Sequence, residues 1–359
     1  MKNKLLLSSA LVGGLLVGSS ASAQTSITGS LDIHYRLLSF SGTSAASRQG
    51  FGRESQVNVQ NKGKLNNGMD YAAGFALEFD GGSSQVVTAG ANTATTLNEP
   101  ASISNENLYV DFISGTTTFT VGVDHVQNST RHSAPMIRNV LDDVGAYGSV
   151  ATDQIGARTK ESMYFGIVQA IPGTGITLSA INAPQTGGYG ATDQAVQTLV
   201  ENNPSYEIGF IGVDTFGVKG LNTHAFTNKM KAANSTASTD LKGTTYGIGY
   251  NFGQFAAGVD VHKTNRSATT ATTEVNMKNT LYGVTYAATK ELSVGLIYSK
   301  NTIDAAAAPE SEKAKTVQIG YNLGPVSIIG HYDMFDGVAG SAAATAEGKQ
   351  AGIRISTLF

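Results

Sequence analysis

Two adjacent carboxylates, Asp142 and Asp143, stand in a connection from Asp124 to Lys160 that also carries Arg131, Arg138, Arg158 and Lys160. Asp124-His125 and Arg131-His132 lie near serines, as parts of a hydrolase could. No Gly-x-Ser-x-Gly elbow accompanies them, and enzymatic catalysis is not expected. Elsewhere ionisable residues recur at alternate positions: Asp32, His34 and Arg36; Glu78; Asp260 and His262; His331 and Asp333; and Arg354. Fixed charges of both signs suit a water-filled passage, where charge in a low-dielectric wall selects solutes without any covalent step. His34, His262 and His331 show no metal-ligand spacing and read as solvated wall residues, although a histidine can also serve as a pH switch.

Those charges need elements that hold them on one side. The chain ends with Ala351, Ile353, Ile355, Thr357 and Phe359 on one parity and Gln350, Gly352, Arg354, Ser356 and Leu358 on the other. Near the start, Ile27, Gly29, Leu31, Ile33, Tyr35 and Leu37 alternate with Thr28, Ser30, Asp32, His34 and Arg36. Period-two alternation of this kind describes strands with one oily and one wet face. A slip of one residue would turn Arg36 towards lipid at a cost of about 2–4 kcal/mol, so the register is strongly specified.

Lys2 and Lys4 precede an apolar stretch from Leu5 to Val17 and the small residues Ala21-Ser22-Ala23, which reads as a secretory signal over 1–23. Cleavage leaves 24–359 and, by removing two lysines, takes the formal charge from −3 to −5, which points away from nucleic acid. Cysteine is absent, so neither disulfides nor zinc-thiolate chemistry is available. Forty-two glycines and 28 Phe or Tyr against seven prolines suit sheets and turns.

Short turns are expected at Asn66-Asn67-Gly68, Ser114-Gly115-Thr116, 172–175, 214–216, 251–254, 288–291 and 322–325, where Gly and Asn supply the positive φ that tight hairpins need. Polar connections rich in Ala, Ser, Thr and Asn separate these hairpins. Seven short turns and eight long connections make sixteen strands: an all-β, antiparallel, up-and-down transmembrane barrel in which every backbone group pairs and alternate side chains meet lipid. Tyr35, Phe79, Tyr109, Phe119, Tyr206, Tyr250, Phe255, Tyr286, Tyr298, Tyr321, Tyr332 and Phe359 fall near strand ends, as interfacial aromatic girdles do.

With its signal, sixteen alternating strands, short and long connections and terminal Phe359, the chain resembles the general porins of Gram-negative outer membranes over essentially its whole length. The resemblance implies a homotrimer with one pore per subunit, contact with outer-membrane lipids, and a last strand read by the barrel-assembly machinery at Phe359. It also implies a third loop, here 124–160, folded into the lumen with acidic residues facing basic wall residues. Arg53, Arg158 and Lys160 become wall-charge candidates by that analogy. The loop's Met136, Ile137, Val140 and Leu141 need a surface to pack against, and the inner wall is available. The Pro-Glu-Phe-Gly-type tip of well-known family members is missing.

The expected function is passive diffusion of ions and small hydrophilic solutes through an outer-membrane channel that uses no cofactor; calcium sites among the loop acids are not readable from sequence. A channel preferring a sugar or an anion is the alternative, and an exported lectin-like or adhesin-like β-protein a more distant one. In the sharpest version Asp142 and Asp143 face Arg36, Arg53, Arg158 and Arg354 across the bore; in the competing version they pair with Arg138 inside the loop. Replacing both aspartates by asparagine is expected to shift the reversal potential in a bilayer salt gradient, and an unchanged potential excludes the first version.

Overall fold

The computed structural model describes residues 23–41, 48–82, 102–123, 163–184, 204–231, 240–266, 275–305, 310–336 and 347–359. The expected signal segment through residue 22 lies outside them. So does the expected constriction connection 124–160, with Arg131, Arg138, Asp142, Asp143, Arg158 and Lys160.

Sixteen antiparallel strands form one closed barrel in which each strand pairs with its sequence neighbours and the first pairs with the last. In chain order they are β1 (Gln24–Ser41), β2 (Arg48–Lys64), β3 (Asp70–Gly82), β4 (Ser102–Ser114), β5 (Thr117–Val123), β6 (Tyr164–Ile171), β7 (Ile176–Ala183) and β8 (Ser205–Val213). They continue as β9 (Leu221–Lys231), β10 (Asp240–Phe252), β11 (Phe255–Arg266), β12 (Val275–Ala287), β13 (Leu292–Ala305), β14 (Glu310–Leu323), β15 (Val326–Asp336) and β16 (Glu347–Leu358). The strand count and the seven short turns agree with the sequence expectation. Gly253 (φ 64°) and Gly324 (φ 77°) supply the left-handed residue of two such turns. Between β8 and β9 the chain makes one 3₁₀ turn, and Asp214 Oδ1 accepts from the Gly220 N–H at 2.7 Å to brace it.

The packing inverts that of a soluble protein. Ile27 is 69% exposed and Ile319 51% on the outward parity, whereas Asp260 and Gln318 are each 1% exposed on the inward one. The outward apolar residues form the surface that lipid covers. On that surface Tyr250, Phe252, Phe255 and Tyr286 make a continuous ring series near the short turns, with centroid separations of 6.1, 5.7 and 4.8 Å. Tyr206 and Tyr332 project outward nearer the long connections, whereas Tyr246, Tyr282 and Tyr298 project outward around the middle of their strands.

Tyr109 departs from its expected place in the aromatic girdle. The β3–β4 pairing shifts register between Gly74 and Ala76, opposite Asn107, whose φ is 51°. The extra residue reverses the parity of the rest of β4, so Leu108 points outward and Tyr109 inward, where Gln60 Nε2 donates to its hydroxyl.

At the seam β1 and β16 pair from Ser30–Leu358 to Ser41–Glu347. Beyond that ladder Gly29 N–H donates to Phe359 O at 2.8 Å and Phe359 N–H to Gly29 O at 3.0 Å. A β-carbon on Gly29 would collide with the Phe359 ring, so this glycine leaves the space in which the terminal aromatic lies. Gly29→Val is expected to lower barrel stability by about 1–3 kcal/mol, the usual range for overpacking. Urea unfolding in detergent micelles, with heat-dependent gel mobility reporting the folded fraction, measures it; a variant as stable as the parent would show the seam tolerates displacement of that ring.

Candidate functional site: the inner wall

The inward parity of the strands collects the ionisable residues. Asp32, His34, Arg36, Glu78, Asp260, His262, His331, Asp333 and Arg354 all stand on the bore-facing parity of their strands, as alternation predicts. Arg53 does not. It stands opposite Ile33, two residues beyond the outward-facing Phe51, and cross-strand partners share a face. Its assignment to the wall therefore fails; Arg53 lies on the outside, exposed. Sequence could not show this because Arg53, Glu54, Ser55 and Gln56 are polar on both parities, and only pairing with β1 separates them. The neighbouring carboxylate, Glu54, is the one that faces the bore, opposite Asp32.

Several of the wall charges lie against the wall, held by partners on the same or an adjacent strand. Arg354 on β16 forks onto Asp32 on β1, with Nε–Oδ1 3.2 Å and Nη2–Oδ2 2.9 Å, and Ser356 Oγ donates to the same carboxylate. A bidentate guanidinium–carboxylate pair is geometrically specific, and here it ties the seam from inside. Arg36 pairs in register with Gly352, two residues further from the carboxyl terminus than Arg354. Asp333 accepts from Thr316 Oγ1 at 2.6 Å and contacts His331 Nδ1 at 2.7 Å. His224 Nε2 lies 3.1 Å from Asp260 Oδ1, close enough for a charge contact but outside hydrogen-bond alignment.

Glycines make this arrangement possible. Gly247 sits in register between His224 and Asp260, and a β-carbon there would overlap the Asp260 carboxylate and the His224 ring. Gly352 likewise leaves room for His331, and Gly52 for His34. Each polar side chain lies across a neighbouring strand instead of standing into the bore. The result keeps both the charge and the width of the passage.

Sequence reasoning missed Glu54, Asp111, Glu207 and His224 on the wall. Glu207 could have been found, since Tyr206 and Ile208 flank it on the outward parity. Asp111, which accepts from Thr120 Oγ1 at 2.7 Å, lies beyond the bulge that shifts parity in β4. His224 alternates only with Thr223 and Ala225, too weak an apolar face to read.

A closed sixteen-stranded barrel, apolar outside and lined with paired charges inside, defines an outer-membrane channel protein. The sequence model of the Gram-negative porins matches residues 8–340, and the chain belongs to that family. No curated sequence relative matches. Among solved structures, the chain is similar to an anion-selective porin from Comamonas acidovorans, with 15% identity, a TM-score of 0.66 and coverage of 94% of this chain and 100% of that one. It is similar to a loop L8 deletion mutant of OmpT, an outer membrane protein of Vibrio cholerae, with 14% identity, a TM-score of 0.64 and the same coverages. A trimer form of in-vitro folded OmpT is similar at 13% identity, with a TM-score of 0.59 and again 94% and 100% coverage. The protein is an outer-membrane porin, and the passage through its barrel is its functional site.

Breaking the seam pair from one side leaves a partly buried charge without its partner. Arg354→Gln is expected to cost about 1–3 kcal/mol, and Asp32→Asn in the same background to recover part of it. A double-mutant cycle on urea midpoints checks this; strictly additive losses would mean that the fork contributes nothing to stability.

Proposed function

We propose that this porin is a trimeric, cation-preferring diffusion channel for small hydrophilic solutes. The observation that carries the preference is the sign of the wall. Among residues whose side chains are described, Asp32, Glu54, Glu78, Asp111, Glu207, Asp260 and Asp333 face the bore between the turns, against Arg36, Lys62 and Arg354 as the permanent cations. Lys64 and Asp70 pair with each other at the first short turn, 2.6 Å apart, and add nothing net. An acidic low-dielectric wall raises the local concentration of cations and lowers that of anions. The Comamonas porin is described as anion-selective, but at 15% identity the likeness concerns the fold, and selectivity belongs to each wall's own charges.

Trimeric assembly is supported by family membership and by the similarity to OmpT in its trimer form. The outer surface is uneven in a way that suits it. Outward side chains described on β1–β8 include a single charged residue, Arg53, whereas β9–β14 carry several lysines. The half with a single outward charge is the one fit for subunit contact.

Planar-bilayer measurements test the proposal. In a KCl gradient the reversal potential is expected on the cation-selective side and to shrink at high salt, since charges are screened over about 8 Å at physiological ionic strength and about 3 Å at 1 M. Replacing Glu78 and Glu207 by glutamine should move the potential towards zero with the conductance retained. A reversal on the anion side rejects the preference while leaving the channel itself intact.

A further inference from the structure

Many polar side chains of the bore are already engaged or covered. Arg354 holds Asp32, Thr316 and His331 hold Asp333, and Asn228, Asn279, Asn301 and Gln318 are each no more than 6% exposed. One strip differs. On the inward parity of β1 and β2, Ser30 stands in register with Gln56, Thr28 with Asn58 and Ser26 with Gln60, and Lys62 follows on β2. All of these are part-exposed. Gln60 Nε2 donates to the Tyr109 hydroxyl, and Asn58 Nδ2 donates to Gln56 Oε1 at 3.4 Å. Gln56 Nε2 and Asn58 Oδ1 are left without a partner among the described residues, and the side chains of Ser26, Thr28, Ser30 and Lys62 make no hydrogen bond or ion pair with any of them. On the other side β3 sets only Ala76, Gly74 and Ala72 in register with Asn58, Gln60 and Lys62.

Chemistry and spacing together identify the ligand class. A side-chain carboxamide carries the same carbonyl acceptor and N–H donor as a peptide unit, so a row of them can exchange hydrogen bonds with a peptide backbone. Bore-facing positions on one strand recur about every 6.8 Å, which is also the two-residue repeat of an extended peptide. Successive rungs therefore meet every second residue of a chain lying along β2. The strip ends in opposite charges. Glu54, exposed and in register with Asp32, lies one rung beyond Gln56, and Lys62 lies one rung beyond Gln60. From Glu54 to Lys62 the strand spans about 27 Å, of which about five extended residues fill about 17 Å. The Glu54 and Lys62 side chains reach across the rest. A saccharide would offer hydroxyls to the rungs but no charge to either end, and a small ion would find its own charge answered at one end only.

We propose that the inner face of β1–β2 is a binding track for short extended peptides with free termini, about five residues long, with the peptide's ammonium end at Glu54 and its carboxylate end at Lys62. Gln56, Asn58 and Gln60 hold alternate peptide groups, and the hydroxyls of Ser26, Thr28 and Ser30 add donors and acceptors from β1. Tyr109 is a positioning residue, because the bulge that turns it inward lets its hydroxyl fix the Gln60 carboxamide. β2 runs from a long connection to a short turn, so a peptide entering from the long-connection side does so carboxylate first. Binding along a water-filled bore is weak, as passage requires: a solute must enter each seat and leave it. The inference rests on the reading of the barrel as an open diffusion channel and is independent of the direction of ion preference.

Ion current through the full processed chain in a planar bilayer is recorded while the pentapeptide Ala-Ser-Ala-Ser-Ala is added. The parent is expected to show reversible, concentration-dependent interruptions. The same peptide with an acetylated amine and amidated carboxyl, and the neutral trisaccharide raffinose, are both expected to interrupt less at equal concentration. Q56A/N58A, which leaves the Gln60–Tyr109 bond in place, is expected to raise the half-blocking concentration about tenfold or more with the open-channel conductance retained. Lys62→Gln is expected to weaken block by the free-acid peptide and to leave block by its C-terminal amide unchanged, a difference that a merely structural role would not produce. T177A/S293A, at bore-facing positions of β7 and β13, should be blocked as the parent is. Should Q56A/N58A lose heat-modifiable mobility, Lys62→Gln read with the two peptides carries the test. A parent that conducts without interruption, equal block by peptide and raffinose, undiminished block in Q56A/N58A, equal block of Lys62→Gln and the parent by the free-acid peptide, or an equal loss in T177A/S293A overturns the track and leaves the channel standing. A parent that passes no ion current overturns both.

Discussion

In a hydrocarbon layer no water can satisfy a backbone N–H or C=O, and a sheet edge left open there costs several kcal/mol per group. This chain meets that constraint by closing β1 on β16, so its whole architecture depends on one non-local ladder between its two ends. The last bonds of the ladder join Gly29 to Phe359, and the glycine is what lets the aromatic ring lie over the seam. Inside, Arg354 and Asp32 cross the same junction. The seam thus has a backbone layer, an apolar outer layer and an ionic inner layer, built from residues more than three hundred positions apart.

Closure separates two surfaces with opposite demands. The outward side chains need only be apolar and wide enough to meet lipid, with tyrosine and phenylalanine where headgroups begin. The inward side chains must carry charge without filling the bore, and the wall does this by placing a glycine beside a long polar side chain. At Gly247, Gly352 and Gly52 the missing β-carbon is the groove in which Asp260, His331 and His34 lie. Charge laid flat against a low-dielectric wall still shapes the potential of the passage, while its ion pairs and hydroxyl donors offset the desolvation that a buried carboxylate suffers. Asp333, held by Thr316 and His331, shows the pattern in full.

The two faces also differ around the circumference. Outward charge on the described strands is confined to Arg53 on the β1–β8 side, while lysines crowd the far rim of β9–β14. One barrel thereby presents an apolar flank and a cationic flank to its surroundings. Both use the same backbone geometry; only the residue at every second position changes.

Period-two alternation is local, so the chain itself specified the sixteen strands, the short turns and the inward parity of Asp32, His34, Arg36, Glu78, Asp260, His262, His331, Asp333 and Arg354. A residue's face is set by its own neighbours wherever one parity is plainly apolar. Where that contrast fades, as around Arg53 and Glu54, or where an extra residue reverses it, as at Asn107 before Tyr109, the face depends on which strand lies alongside. Partnership is non-local throughout. That Arg354 engages Asp32, that His224 meets Asp260 across Gly247, and that lysines stand opposite lysines on three hairpins all come from register between strands, which closure of the barrel sets and no single segment contains.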